Sequence, residues 1–307
     1  VIAARSENVQ EGAIRIYNLR PGTDASGLFW ELSGTIVGDG EGFRAGWSVA
    51  ISGDGNVVAM GSTKGGSEQG GIVSTYVAPD WRLYGSIIEA KTPRDVTGFS
   101  VSLNGDGTMV AVGSVKASNK LSNAGRAGVY SFDGTAWNAE FEVNGEVRQG
   151  YDGSSVALPS DGNIFVVGGR GHADNGDSLP SVGRCRIFER NASGDYVLLH
   201  TIFGKNAREE LGWSAAISGD GNKVACGGQE GKMLDFGNTG VVRVWDLSSL
   251  QESEVLPRGE RFSSVEGASF GSSVSLSGDG SSLVVGASMW NGANVTLPGS
   301  IFSFSTS

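Results

Sequence analysis

The stretch GWSVAISGDGNVVAMGS at residues 46–62 returns as GFSVSLNGDGTMVAVGS from 98, GSSVALPSDGNIFVVGG from 153, GWSAAISGDGNKVACGG from 212 and GSSVSLSGDGSSLVVGA from 271. Its Asp-Gly pair moves from Asp54-Gly55 to Asp106-Gly107, Asp161-Gly162, Asp220-Gly221 and Asp279-Gly280, at spacings of 52, 55, 59 and 59 residues. Repetition at this period predicts one supersecondary unit per copy, each too small to bury its own faces and stacked on its neighbours.

Within the copy that opens at Gly46, SVAIS, NVVAMGS, GIVSTYV and WRLYGSIIEA are strand-like runs separated by turn residues. They predict a four-stranded antiparallel meander, with strands A to D. The A runs carry small residues (Ser48, Ala50, Ser100, Ala157, Ala215, Ser273), as suits strands crowded near an axis. The D runs carry large ones (Trp30, Trp81, Trp137, Tyr196), as suits the places where sheets splay apart. The expected fold is an all-β β-propeller of about six four-stranded blades, at 1–45, 46–97, 98–152, 153–211, 212–270 and 271–307, in a single domain. VIAARS at the start matches a B strand and SIFSFSTS at the end a C strand. The first blade therefore lacks its A strand and the last its D strand. This reading favours an excerpt of a longer chain.

SGDGN itself admits two readings, a calcium loop or a tight hairpin. Calcium requires six to eight oxygens, usually from several carboxylates. Each copy offers a single Asp, and the copy at 153 precedes it with Pro159 and Ser160. A hairpin requires only an Asp that bonds the turn backbone and a Gly with positive φ. The spacing predicts hairpins, with no metal and no cofactor. A net charge of −10 and the absence of a dense Lys/Arg cluster in the sequence argue against nucleic acid as a partner. No apolar run is long enough to span a membrane. Cys185 and Cys226, in the apolar runs RCRIF and VACGG, read as buried thiols, with a disulfide between them left open.

The motif G-[WF]-S-V-A-I-S-G-D-G-N-x-V-A-x-G, followed by G-x-V-x-x-Y, resembles FG-GAP repeats, the blades of integrin α-subunit head propellers and of many surface proteins. Gly46-Trp47-Ser48, Gly98-Phe99-Ser100, Phe270-Gly271 and the strand ends VAMGS, VAVGS and VVGAS carry the likeness. It implies a cell-surface or secreted binding module. The integrin calcium blades hold a D-x-[DN]-x-D-G run that none of these five turns has. ISGDGNKVACGGQEG with VVRVWDL also resembles a WD-repeat blade, which implies an intracellular scaffold. The longer period and the missing structural His weigh against that second likeness.

The B–C loops differ in length and composition, whereas the A–B turns are uniform, so the B–C and D–A connections form the expected binding face. Candidate contacts there are Arg170, His172, Asp174 and Asp177 in one loop, Met233 and Phe236 in another, and Trp290 in a third. The expected partner is a protein or a glycan. Trp47, Phe99 and Trp213 share the slot after the opening glycine and read first as blade-to-blade packing. No nucleophile elbow, phosphate loop or histidine pair points to an enzyme. A propeller hydrolase or lyase acting at the channel mouth is the rival from another class.

Overall fold

Every Asp-Gly pair closes a hairpin. In the first, Ser52 Oγ and the Asn56 amide both donate to Asp54 Oδ1, and the Val57 amide donates to Ser52 Oγ. Gly55 takes φ 76°, and the other four turn glycines lie between 66° and 76°. Those bonds hold the Asp54, Asp106 and Asp220 carboxyls below the usual range, and Asp279 at about 2. In this computed structural model the described residues are 2–4, 12–22, 27–38, 40, 42–66, 68–173, 181–229, 232–233, 237–238, 240–249, 251–255, 269–288 and 299–306.

Among the described residues the strands gather into six antiparallel sheets of three or more strands in chain order and one separate two-stranded hairpin, and no helix occurs. Sheet I holds β1 (Ile2–Ala4), β2 (Ala13–Pro21) and β3 (Leu28–Val37). Sheet II holds β4 (Ala45–Ile51), β5 (Val57–Ser62) and β6 (Ile72–Val77), with β7 (Arg82–Leu83) and β8 (Ile88–Glu89) both pairing with β6 as halves of one interrupted strand. Sheet III runs β9 (Thr97–Leu103), β10 (Met109–Ser114), β11 (Arg126–Phe132), β12 (Trp137–Asn144). Sheet IV runs β13 (Asp152–Ala157), β14 (Ile164–Gly169), β15 (Arg184–Arg190), β16 (Tyr196–Phe203). Sheet V holds β17 (Ser214–Ile217) and β18 (Lys223–Gly228); a separate hairpin of β19 (Lys232–Met233) and β20 (Gly237–Asn238) follows in the chain, and β21 (Val241–Asp246) and β22 (Gln251–Val255) complete sheet V. Sheet VI holds β23 (Phe270–Leu276), β24 (Ser282–Ala287) and β25 (Ser300–Ser305). Register places sheet I in the B, C and D positions and sheet VI in the A, B and C positions. The arrangement is compatible with propeller-like stacking.

Backbone contact joins each sheet to the next, and this is where the glycines are used. A Cβ on Gly61 of β5 would lie 2.1 Å from the Gly98 carbonyl oxygen of β9, and Gly113, Gly168 and Gly227 stand in the same relation to Gly153, Gly212 and Gly271. A Cβ on Gly125, ahead of β11, would lie 2.1 Å from the Asp152 carbonyl oxygen. Only glycine permits so close an approach. Ser48, Ser100, Ser155 and Ser214 then donate their hydroxyls to Gly98, Gly153, Gly212 and Gly271. At the opposite strand ends the turns bond one another: Asp54 to Gly105, Gly105 to Ser160, Ser160 to Gly219 and Asp220 to Gly278, each at 2.9 Å.

Apolar clusters fill the seams. Ile14 and Ile16 of sheet I pack with Val58 and Met60 of sheet II, and Val242 of sheet V packs with Val285 of sheet VI. Between sheets IV and V the facing pair is Cys185 and Cys226, which form a disulfide. This corrects the expectation of two buried thiols. The two positions match Ile14 and Met60 in the first seam, so the repeat itself puts the sulfurs opposite each other. Such a cross-link restricts the unfolded chain and adds a covalent tie to two sheets that already meet through packing and through the Ser155–Gly212 and Ser160–Gly219 hydrogen bonds.

Candidate binding site at a cavity between the sheets

The opening motif of each A strand begins with an unusual backbone. Arg44, Val96, Tyr151, Glu210 and Ser269, each two residues before an opening glycine, all have φ between 52° and 60°. Left-handed geometry is unfavourable for a β-branched residue such as Val96, so the surrounding contacts enforce it. This bend turns the chain from the last strand of one sheet into the first strand of the next. It delivers the residue after the glycine to the rim of a cavity of about 640 Å³. The cavity is bordered by Trp47 and Ser48, Phe99 and Ser100, Ser155, Trp213 and Ser214, and Ser272 and Ser273.

Around that rim a crescent of rings and guanidinium groups is continuous. Trp47 and Phe99 lie 5.5 Å apart between centroids. Arg44 stands 5.8 Å from the Trp47 ring. In sheet IV the slot after the glycine is Ser154, which donates to the Tyr151 carbonyl and supplies no ring. Arg170, at the end of β14, fills the gap. Its Cζ lies 4.2 Å from the Trp213 ring centre, 5.3 Å from Tyr151 and 5.8 Å from Phe99. Cation–π contacts of this kind contribute roughly 0.5–2 kcal/mol each. Desolvation lowers the Arg170 pKa, opposed by the negative charge of Glu210. All four of Arg170, Trp47, Phe99 and Trp213 remain half-buried, so each presents a face to solvent.

The D–A connections that carry this rim are pinned by buried ion pairs that sequence reading missed. Asp95 pairs with Arg126 of β11, and Glu209 with Arg243 of β21, both members of the latter pair fully buried. In sheet IV, Arg184 and Arg186 of β15 both reach Asp152 Oδ2 at 2.8 Å, and Arg184 also reaches Glu146. Glu209 further accepts the amides of Lys205 and Asn206, and Asp95 that of Thr92. One acid thus closes the loop and binds the third strand of the sheet the loop enters. The available signal was an acid one to three residues before the opening glycines of sheets III, IV and V (Gly98, Gly153 and Gly212), matched by an Arg one or three residues after the glycine that opens strand C of the same sheet.

Of the residues expected on this face, Arg170 lies at the rim. His172 does not present a surface. It is only 3% exposed, packs on Phe203 at 5.6 Å, and its Nδ1 has no hydrogen-bond partner among the described residues. Burial and the neighbouring Arg184 lower its pKa to about 4, so it is neutral at pH 7. Asp174, Asp177, Phe236 and Trp290 lie outside the described residues, and of Met233 only the strand placement in β19 is described. Trp47, Phe99 and Trp213, read first as packing residues, do pack across a seam where Trp47 meets Phe99, and they also border the cavity. Among the described residues no group of three or more His, Cys, Asp or Glu side chains is placed to hold a metal. No helix there is long and apolar enough to cross a membrane. No protein-family model matches the chain, and no curated protein matches it at a significant level.

Proposed function

We propose that this chain is a six-bladed β-propeller of the FG-GAP, integrin-like kind that binds a protein or glycan through its B–C and D–A face without catalysing a reaction. One observation carries this reading: Arg170 completes an otherwise interrupted aromatic crescent at the mouth of the cavity. Flat ring faces beside a guanidinium suit the C–H face of a sugar next to its carboxylate, or an aromatic and acidic peptide. The serines that border the cavity support a non-catalytic role. Ser48, Ser100, Ser155 and Ser214 spend their hydrogens on the glycine carbonyls of the next sheet. The Cys185–Cys226 disulfide favours an oxidising, extracellular setting over a reducing one.

The test is a glycan array that includes uronic and sialic acids, followed by titration with wild type, Arg170→Ala and Trp213→Ala. Each variant is expected to weaken binding at least tenfold. A glycan bound equally by all three would place recognition elsewhere. A blank array removes the glycan arm and leaves a protein partner. Turnover of any arrayed glycan would overturn the non-catalytic reading.

A further inference from the structure

The outer face of sheet VI repeats a surface that is filled everywhere else in the molecule. The residue two after the glycine that opens strand C is Ile14, Val73, Ala127, Cys185 or Val242 in sheets I to V, each 0–1% exposed. In sheet VI it is Ile301, at 78%. Val284 is 41% exposed, whereas Ala59, Ala111, Val166 and Ala225 at its repeat position are at 0%. The two socket glycines show the same contrast. A Cβ on Gly240 would collide with the Phe270 carbonyl of the next sheet, and one on Gly227 with that of Gly271. At Gly286 and Gly299 the nearest atoms belong to sheet VI itself. Around them lies an open cavity of about 600 Å³, lined by Ser273, Gly286, Gly299 and Ile301 among others.

We propose that this face is a docking socket for one extended polypeptide strand of the form small or apolar residue–Gly–x–Ser, followed by alternating small and apolar residues. The occupant follows from the other seams. At the four that β5, β10, β14 and β18 offer, the entering strand is Thr97-Gly98-Phe99-Ser100, Asp152-Gly153-Ser154-Ser155, Leu211-Gly212-Trp213-Ser214 or Phe270-Gly271-Ser272-Ser273. Each sets its glycine carbonyl on the strand-B glycine, where it accepts the hydroxyl of the preceding sheet's serine. Sheet VI presents the matching glycines together with Ser273, the fifth serine of the set. Among its described residues a second copy of the chain has no such strand to lend, because its own five opening strands are engaged in its own seams. The strand therefore comes from polypeptide outside the six sheets. Close approach of the glycine backbone to Gly286 and Gly299 selects the glycine, and Ile301 supplies apolar area. The proposal does not depend on what the crescent binds.

The probe is a fluorescently labelled synthetic peptide copying residues 94–104, RDVTGFSVSLN, titrated into the whole protein and followed by anisotropy. Saturable binding is expected, and Ile301→Arg should weaken it at least tenfold. That side chain is already exposed, so the variant keeps its fold, which circular dichroism checks. A peptide carrying Gly98→Val should lose at least tenfold against unaltered protein. Absence of saturable binding, equal binding by the Ile301→Arg protein, or equal binding of the Gly98→Val peptide would overturn the proposal. So would self-association of the protein that Ile301→Arg abolishes in sedimentation while the peptide fails to bind.

Discussion

The two ends of the strands are built on different physics. At the A–B end, five turns of nearly identical sequence are held by short-range bonds from Asp to its own hairpin, and by backbone bonds from turn to turn. These carboxylates are exposed, so each contributes only what a solvated hydrogen bond can. At the B–C and D–A end, the connections differ in length and sequence, yet they are anchored by ion pairs deep in the sheets. The uniform end is locally determined and individually weak. The variable end rests on a few costly buried charges, and those free the remaining loop residues to vary.

Sheet V provides both kinds of residue, so it offers the sharpest test. Glu209→Ala leaves the fully buried Arg243 guanidinium without its carboxylate. Removing one member of a buried pair typically costs about 3–5 kcal/mol. Urea denaturation should show a loss of that size, with the Glu209→Gln variant intermediate. A loss as small as that of a turn Asp would erase the distinction between the two ends.

His172 extends the comparison to pH. Its folded pKa of about 4 lies below the unfolded value near 6.5, so the unfolded chain takes up the proton first. The stability associated with the neutral ring is complete above pH 6.5 and is lost as pH falls towards 4. The total is about 3 kcal/mol at most. The groups facing the ring are Arg184, Arg186, Asp152 and Glu146, and the two arginines oppose a third positive charge. Denaturation midpoints between pH 7 and 4 should therefore fall more steeply in wild type than in His172→Gln. Parallel curves would move the acid sensitivity to another group.

Legibility in the sequence divides along the same line. The turns and sheet order could be read because a tight hairpin constrains residue type at fixed offsets, so Asp54-Gly55 and its four counterparts align by eye. That the described residues of sheet I fill only the B, C and D positions, and those of sheet VI only A, B and C, follows from the same alignment. The ion pairs escaped notice because their spacing slides. Asp95 and Glu209 stand three residues before the glycine and Asp152 one, while Arg126 and Arg243 differ by two places along their strands. The disulfide was within reach, since superposing the repeats puts Cys185 and Cys226 on facing positions of one seam. Arg170 was singled out for its loop, but its partners were not. That it substitutes for the ring absent at Ser154 depends on three sheets meeting in space.

The smallest expected effect belongs to the turn face. Asp220 Oδ1 accepts the Ser218 hydroxyl and the Asn222 amide, and Oδ2 accepts the Asn222 side chain. Every bond is local and near solvent, so Asp220→Ala should cost about 0.5–1.5 kcal/mol, several-fold less than Glu209→Ala. The same occupancy bears on calcium. Oxygens already engaged by hydroxyl and amide donors would have to exchange those bonds for the ion, and each turn brings a single carboxylate. Thermal melts in calcium and in chelator should therefore superimpose for wild type and for Asp220→Ala alike. A midpoint several degrees higher with calcium, lost on substitution of Asp220, would show that the turns bind the ion, because a ligand specific to the folded state raises stability by RT ln(1 + L/Kd), where L is its free concentration. The A–B end would then be a chain of metal sites with long-range stabilisation of its own, and the contrast between the two ends would disappear.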